Sequence, residues 1–230
     1  LEQIERLLAL HVDDGSWNSR KIKLHFARMG EPAMNPAVLY VLRHVAVHFP
    51  STTFIPAVAT TAPRVGRRWL DELKSIKDSL YRGGRFQLQF SVNSTDEAVR
   101  DRLMPVSKLS LPELGCFAAE WYESGDRRIS LNFALGRGIP VDAETVARRF
   151  SPESTLIKLT PINPTARSRD NGLETVIAPE SPEAAARLVA ELEAASFEVI
   201  VSIGDPKEIE IGSNCGQAAR WVSEMQEKHA

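Results

Sequence analysis

Arg85-Phe-Gln-Leu-Gln-Phe-Ser-Val-Asn-Ser-Thr-Asp-Glu-Ala-Val-Arg-Asp-Arg-Leu103 reads as one strand followed at once by one helix. Phe86, Leu88 and Phe90 alternate with polar residues, which is the period of a half-buried strand over Arg85–Val92. A short helix over Asp96–Leu103 follows.

The same unit recurs on both sides. Upstream, Lys21–Ala27 is a predicted strand with Ile22, Leu24 and Phe26 alternating, followed by a helix capped by Asn35 with Pro36 in its first turn. Thr53–Thr60 is the next strand, ahead of a helix over Val65–Leu80. Downstream come a helix over Leu111–Ser124, a strand over Arg128–Leu135 and a helix over Asp142–Phe150 capped by Asp142. A strand over Thr155–Pro161, a polar loop over Thr165–Thr175 and a helix from Ser181 to Ala195 follow. A strand over Glu198–Ile203 and a helix over Gly216–Lys228 complete the series. Repeated βα units imply a parallel sheet with right-handed crossovers, hence an α/β fold, either doubly wound or a (β/α) barrel. With no repeat, linker or low-complexity tract, residues 1–230 read as one domain.

Composition narrows the class. The chain is 43% hydrophobic and 25% charged, as ordinary globular proteins are. Its most apolar stretch, Val38–Phe49, is broken by Arg43, His44 and His48, so neither a membrane span nor a secretory signal is predicted. Cys116 and Cys215 are the only cysteines, which argues for a reducing, cytoplasmic setting and against a disulfide framework. A formal charge of −2 gives no global pull towards nucleic acid. Leu1–Leu10 reads directly as a helix with no cap before it, so the chain is expected to be a piece of something longer.

Small, hydroxylated, amide and acidic residues collect just past successive strands: Met29-Gly30-Glu31-Pro32, Ala59-Thr60-Thr61-Ala62, Ser91-Val92-Asn93-Ser94 and Pro161-Ile162-Asn163-Pro164. Such residues also mark ordinary turns. At the carboxyl edge of an α/β sheet, however, loops converge on one mouth, and that edge carries the site. Cys215, within Ser213-Asn214-Cys215-Gly216-Gln217, sits in a stretch with too little apolar bulk for a core. Cys116, beside Leu114 and Phe117, is expected to be a small core residue. His44 and His48 have zinc-ligand spacing but no third ligand, so they read as a surface or packed pair, and no metal ligand is assigned. The excess of cations from Arg64 to Arg85, Lys77 among them, reads as a solvated helix face.

In order, Phe26-Ala-Arg-Met-Gly-Glu-Pro-Ala-Met-Asn35, Phe90-Ser-Val-Asn93, Val99-Arg-Asp-Arg-Leu-Met-Pro105, Leu159-Thr-Pro-Ile-Asn-Pro164 and Asn214-Cys-Gly-Gln217 resemble the RlmN/Cfr group of radical S-adenosylmethionine (SAM) methyltransferases. The resemblance implies a partial (β/α)6 TIM-like barrel, truncated at its N-terminus so that the first strand and cluster loop are missing. It implies that Gly30 and Glu31 receive the ammonium of SAM, that Thr61, or its neighbour Ala59, stands where the family has a SAM-contacting serine, and that Ser91, Val92, Asn93 and Asn163 make further contacts. It implies that Cys215 takes a methyl from one SAM. A 5′-deoxyadenosyl radical from a second SAM then removes hydrogen from that methyl, which adds to an adenine carbon of RNA.

The chain departs from the family in several places. The three cysteines of the [4Fe–4S] cluster and the second catalytic cysteine would lie upstream of Leu1, so this chain binds no cluster and is expected to be inactive alone. The cluster and its electron donor belong to the full-length protein. The run before the C-terminal cysteine is replaced by Gly204-Asp-Pro-Lys-Glu-Ile-Glu-Ile-Gly212, and Asn93 replaces a histidine. Two alternatives stay open: a paralogue acting on another substrate, and a non-catalytic SAM- or RNA-binding module.

Overall fold

The structure is a computed structural model, and it describes residues 1–12, 21–27, 30–49, 53–162, 172–173 and 182–203. Six strands alternate with helices: α1 (Glu2–Val12), β1 (Lys21–Phe26), α2 (Ala37–His48), β2 (Thr53–Thr60), α3 (Arg67–Leu80), β3 (Gln87–Asn93), α4 (Glu97–Leu103), α5 (Leu111–Trp121), β4 (Ile129–Leu135), α6 (Ala143–Arg149), β5 (Thr155–Pro161), α7 (Pro182–Ala194) and β6 (Val199–Val201). All neighbouring strands are parallel, in the order β1-β2-β3-β4-β5-β6. The α/β class and the strand sequence expected from the alternating pattern hold.

One face of this sheet packs on helices. Val58, Leu88, Phe90, Leu131, Phe133, Ile157 and Leu159 form a single core with Leu42 and Val45 of α2, Leu70, Leu73 and Ile76 of α3, and Phe117 and Trp121 of α5. The period-two pattern of the strands and the helical stripe of α3 thus meet, each burying the apolar side of the other. Residues on the opposite face of β3, β4 and β5 are less buried and mostly polar.

The sheet curls around that polar face. In a flat sheet β1 and β5 would stand about 19 Å apart, four strand spacings. Yet Lys23 of β1 has its pKa lowered by partial burial first and then by the positive charges of Arg127 and of Lys158 on β5. Charges that far apart across water would be screened at about 8 to 10 Å. A sheet curved into a partial barrel accords with that proximity.

Local chemistry sets the element ends. Asp142 accepts from the backbone amide of Thr145 (2.7 Å), as the sequence predicts, and Asp96 caps α4 in the same way, accepting from Val99 N (3.0 Å). Ser110 and Glu113 form a capping box at α5. Asn35 lies one residue further from α2 than expected, since a 3-10 turn over Pro32–Met34 intervenes, but its side chain still accepts from Ala37 N at 3.0 Å. Another 3-10 turn, Arg64–Gly66, precedes α3.

Two expectations are corrected. Cys116 is exposed, because the buried stripe of α5 runs through Leu111, Leu114, Phe117, Ala118 and Trp121 and leaves position 116 outside it. Lys77 is not solvated: it falls on the buried stripe of α3, where its ammonium donates to Trp121 O (2.9 Å) and to Asp126 (2.5 Å). Burial pulls the Lys77 pKa down, but bonds from Asp126 and Asp78 outweigh it and hold the pKa above its ordinary value.

Candidate functional site

The carboxyl ends of β1 and β2 meet at Glu31, with the end of β3 next to that of β2 in the sheet. Gly30 has φ +100, a left-handed conformation open to glycine, and a Cβ there would meet nothing within 4 Å. The chain then turns so that the Glu31 carboxylate reaches the end of β2. Oε2 accepts from Thr61 N and from Thr61 Oγ1, both at 2.8 Å. Oε1 accepts from Ala33 N at 3.0 Å and from the Thr60 hydroxyl. Four donors occupy the roughly four lone-pair positions of a carboxylate. Thr60 also accepts from Ala62 N (3.0 Å), which helps hold Ala62 at φ +55.

The two turns that carry these groups interlock. A Cβ on Gly66 would stand 2.9 Å from Ala33 Cβ and 3.2 Å from Ala33 O. No larger residue fits there without displacing the turn that begins at Glu31.

On β3 the ladder to β4 slips between Ser91 and Asn93, so Val92 is the extra residue of a bulge. Asn93 has φ +67, and Ser94 N donates back to Val92 O at 3.0 Å, closing a tight three-residue turn. Asn and His are among the few non-glycine residues enriched at such angles, which accounts physically for Asn93 standing where the resembling family has histidine. Arg100, fully buried, donates to Val92 O (3.2 Å), Leu109 O (3.1 Å) and Glu97 (2.5 Å), and so fixes the bulge from below.

Gly30, Glu31, Thr61, Ser91, Val92 and Asn93 are therefore placed on one edge of the sheet, at the ends of three neighbouring strands. Val92 turns inward and is buried with the core, so only its backbone can serve a ligand at this edge. Ala59 pairs with Gln89 below that edge and carries no hydroxyl, which leaves Thr61 as the better-placed of the two. Asn163 and Cys215 lie outside the described residues. Thr60 and Arg100 were not singled out from the sequence. Thr60 carried a signal, a second hydroxyl beside Thr61 at the strand end, whereas a buried Arg100 is indistinguishable in sequence from a surface helical arginine.

This donor and acceptor set suits the polar end of SAM: a carboxylate for an ammonium, hydroxyls and an amide for ribose and carboxylate, and a side-chain-free cradle at Gly30. A four-iron cluster does not fit this chain. Only two cysteines exist in the sequence, one of them exposed on α5, and no group of three His, Cys, Asp or Glu among the described residues is arranged to hold a metal ion. His44 and His48 instead stack ring on ring, centroids 3.6 Å apart, on α2. Among the described residues no helix is long and apolar enough to cross a membrane.

No family model matches the chain. A relative from a Synechococcus species, named a probable dual-specificity RNA methyltransferase RlmN, is 28% identical over 168 residues, 71% of this chain and 46% of its own length. Another of that name, from Bifidobacterium adolescentis, is 26% identical over 230 residues, 95% of this chain and 56% of its own length. The chain spans about half the length of the curated relatives it matches. The crystal structure of a radical SAM methyltransferase from Sphaerobacter thermophilus superposes with a TM-score of 0.66 at 20% identity, covering 92% of this chain and 58% of that one. That likeness is one of fold, and it matches the partial barrel seen here. The chain is thus similar in sequence to proteins named as RlmN and in fold to a radical SAM methyltransferase.

Proposed function

We infer that this chain is the SAM-holding part of a radical SAM methyltransferase barrel whose target is an adenine of RNA. The observation that carries the reading is the convergence of Glu31, Thr61 and the Ser91–Asn93 bulge on one sheet edge. In this reading Glu31 and the backbone around Gly30 receive the ammonium of SAM, while Thr61, Ser91, Asn93 and the backbone of Val92 orient the rest, with Asn163 beyond β5. When bound, SAM supplies an electrophilic methyl group. Cys215 is the carrier of that methyl, and a thiolate near the positive sulfonium is favoured over a thiol. The [4Fe–4S] cluster and its electron donor belong to the whole protein, since this chain has too few thiolates for the cluster.

The test is calorimetric titration of S-adenosylhomocysteine into the full-length protein. Glu31→Gln and Ser91→Ala should each weaken binding about tenfold or more, equivalent to about 1.4 kcal/mol. Equal affinity in both variants would remove this edge from the site. Nucleoside mass spectrometry should find a methylated adenine in RNA from cells with the intact gene and none with Cys215→Ala. A second reading, a paralogue with another target, draws on Gly204–Gly212, where the run expected before the cysteine is absent; unmethylated RNA from wild-type cells would favour it.

A further inference from the structure

The inner face of a (β/α) barrel is ordinarily packed with branched apolar side chains, and parallel sheets are ordinarily apolar on both faces. This one is not. None of the six strands contains an Asp or Glu, yet Lys23 and Lys158 stand on the concave face with Gln89, Ser91 and Asn132. Ser91 pairs with Asn132 and Asn132 with Lys158, so these three side chains form one level row across β3, β4 and β5. At about 4.8 Å per strand the row is about 10 Å wide.

The row presents donors. Thr160 Oγ1 donates to Asn132 Oδ1 at 2.6 Å, which occupies the amide's acceptor and leaves its Nδ2 hydrogens facing away from Thr160. No described group accepts from that Nδ2, and no described carboxylate pairs with Lys158 or Lys23. The two ammonium groups and Arg127 repel one another, as the lowered pKa of Lys23 records after the effect of its own burial. Lys158 is half-buried on this face while Lys23 and Arg127 are exposed, and an anion joining the two lysines would relieve their repulsion.

We propose that the concave wall of β3, β4 and β5 is an oxyanion subsite, holding a phosphate or carboxylate with Lys158 as its charge and Asn132 and Ser91 as its neutral donors. Lys23, facing it from β1, adds a second charge. The subsite lies beside the edge read above as the SAM site, and its identification with a cofactor carboxylate rests on that reading; the oxyanion chemistry itself does not.

The experiment is calorimetric titration of the 230-residue chain with sodium pyrophosphate, against sodium chloride at matched ionic strength. Wild type should saturate. Lys158→Gln should raise the dissociation constant at least tenfold, Lys23→Gln several-fold, and Lys158→Arg much less, with melting curves confirming that each variant folds. Arg148→Gln, on outer helix α6, should bind as wild type does. Failure of wild type to saturate, or wild-type affinity in Lys158→Gln, overturns the subsite. A second arm distinguishes the source. If pyrophosphate competes with S-adenosylhomocysteine, and Lys158→Gln weakens that ligand but not 5′-methylthioadenosine, the natural oxyanion is the cofactor's carboxylate. If both ligands bind together and Lys158→Gln loses pyrophosphate alone, it is a phosphate. Should S-adenosylhomocysteine fail to bind wild type, the SAM reading falls while the pyrophosphate result still decides the subsite.

Discussion

Arg100 Nε lies 3.2 Å from the carbonyl oxygen of Val92, joining a fully buried guanidinium to the bulge that turns Asn93 into left-handed backbone. The same side chain bonds Leu109 O and Glu97, and Glu97 in turn accepts from Leu111 N at 2.8 Å. The end of β3, α4 and the entry to α5 are thus tied at one point, so the shape of the mouth depends on a residue that no ligand touches.

Arg100→Met should cost about 3 to 5 kcal/mol, because it strips buried carbonyls of their donor and leaves Glu97 without its partner. Arg100→Lys keeps the charge but not the fork, and should fall between the two. Urea unfolding measures both. Wild-type stability in Arg100→Met would show the bulge to be held by Ser94 and its bond to Pro140 O alone.

The full occupancy of the Glu31 carboxylate makes a specific forecast about affinity. A ligand ammonium must displace one of the four donors, and the Thr61 hydroxyl, free to rotate, is the easiest to move. Thr61→Val removes a contact to the ligand but also frees a lone pair on Glu31, so it should weaken S-adenosylhomocysteine binding by only about threefold, against about tenfold or more for Glu31→Gln. A loss in Thr61→Val as large as that in Glu31→Gln would show that the Glu31 carboxylate gains nothing from release of that hydroxyl.

Lys77 and Asp126 form an ion pair with side chains only 1% and 6% exposed. Lys77→Met leaves Asp126 charged and buried without its cation, and should cost about 3 to 5 kcal/mol. Removing both charges, Lys77→Met with Asp126→Asn, should recover a large part of that. A double-mutant cycle with no recovery would refute the coupling.

Glu113 accepts from Arg64 through both oxygens at 2.7 Å, and from Ser110 in the capping box. The Arg64 bond first, and then Ser110, lower its pKa from 4.5 to about 2. A depressed folded pKa contributes stability above the unfolded value and loses it as pH falls through the folded one. The loss should therefore run from about pH 4.5 down to about pH 2. Because the pair is exposed, about 1 kcal/mol is the expected size. Thermal melts of Glu113→Gln should lack that component of the acid slope.

Much of this was legible in sequence, for identifiable reasons. β2 and β5 have the bounds predicted for them, and Asp142 caps its helix as a short acidic residue at a helix start does. The strand-end residues converge because every βα unit points the same way. Lys77 and Cys116 were misplaced for one reason: each stands a single helical step from the boundary between buried and exposed stripes, about 100° of rotation that composition alone does not fix. Arg100 is not legible in sequence because burial of an arginine depends on three carbonyl and carboxylate partners spread over residues 92 to 109.

Spatial order in this sheet repeats chain order, from β1 through to β6. Each new strand therefore finds its partner in the strand just completed, across one helical connection or two. Synthesis releases a chain from its N-terminus, so the growing sheet always has a finished template and never waits for a distant segment. Loop-closure costs stay small at every step, which favours rapid assembly despite the all-parallel pairing. Loss of structure should instead begin at the sheet's edges, first at the three-residue strand β6, and reach the central β3 and β4 last, an order that amide exchange would read directly.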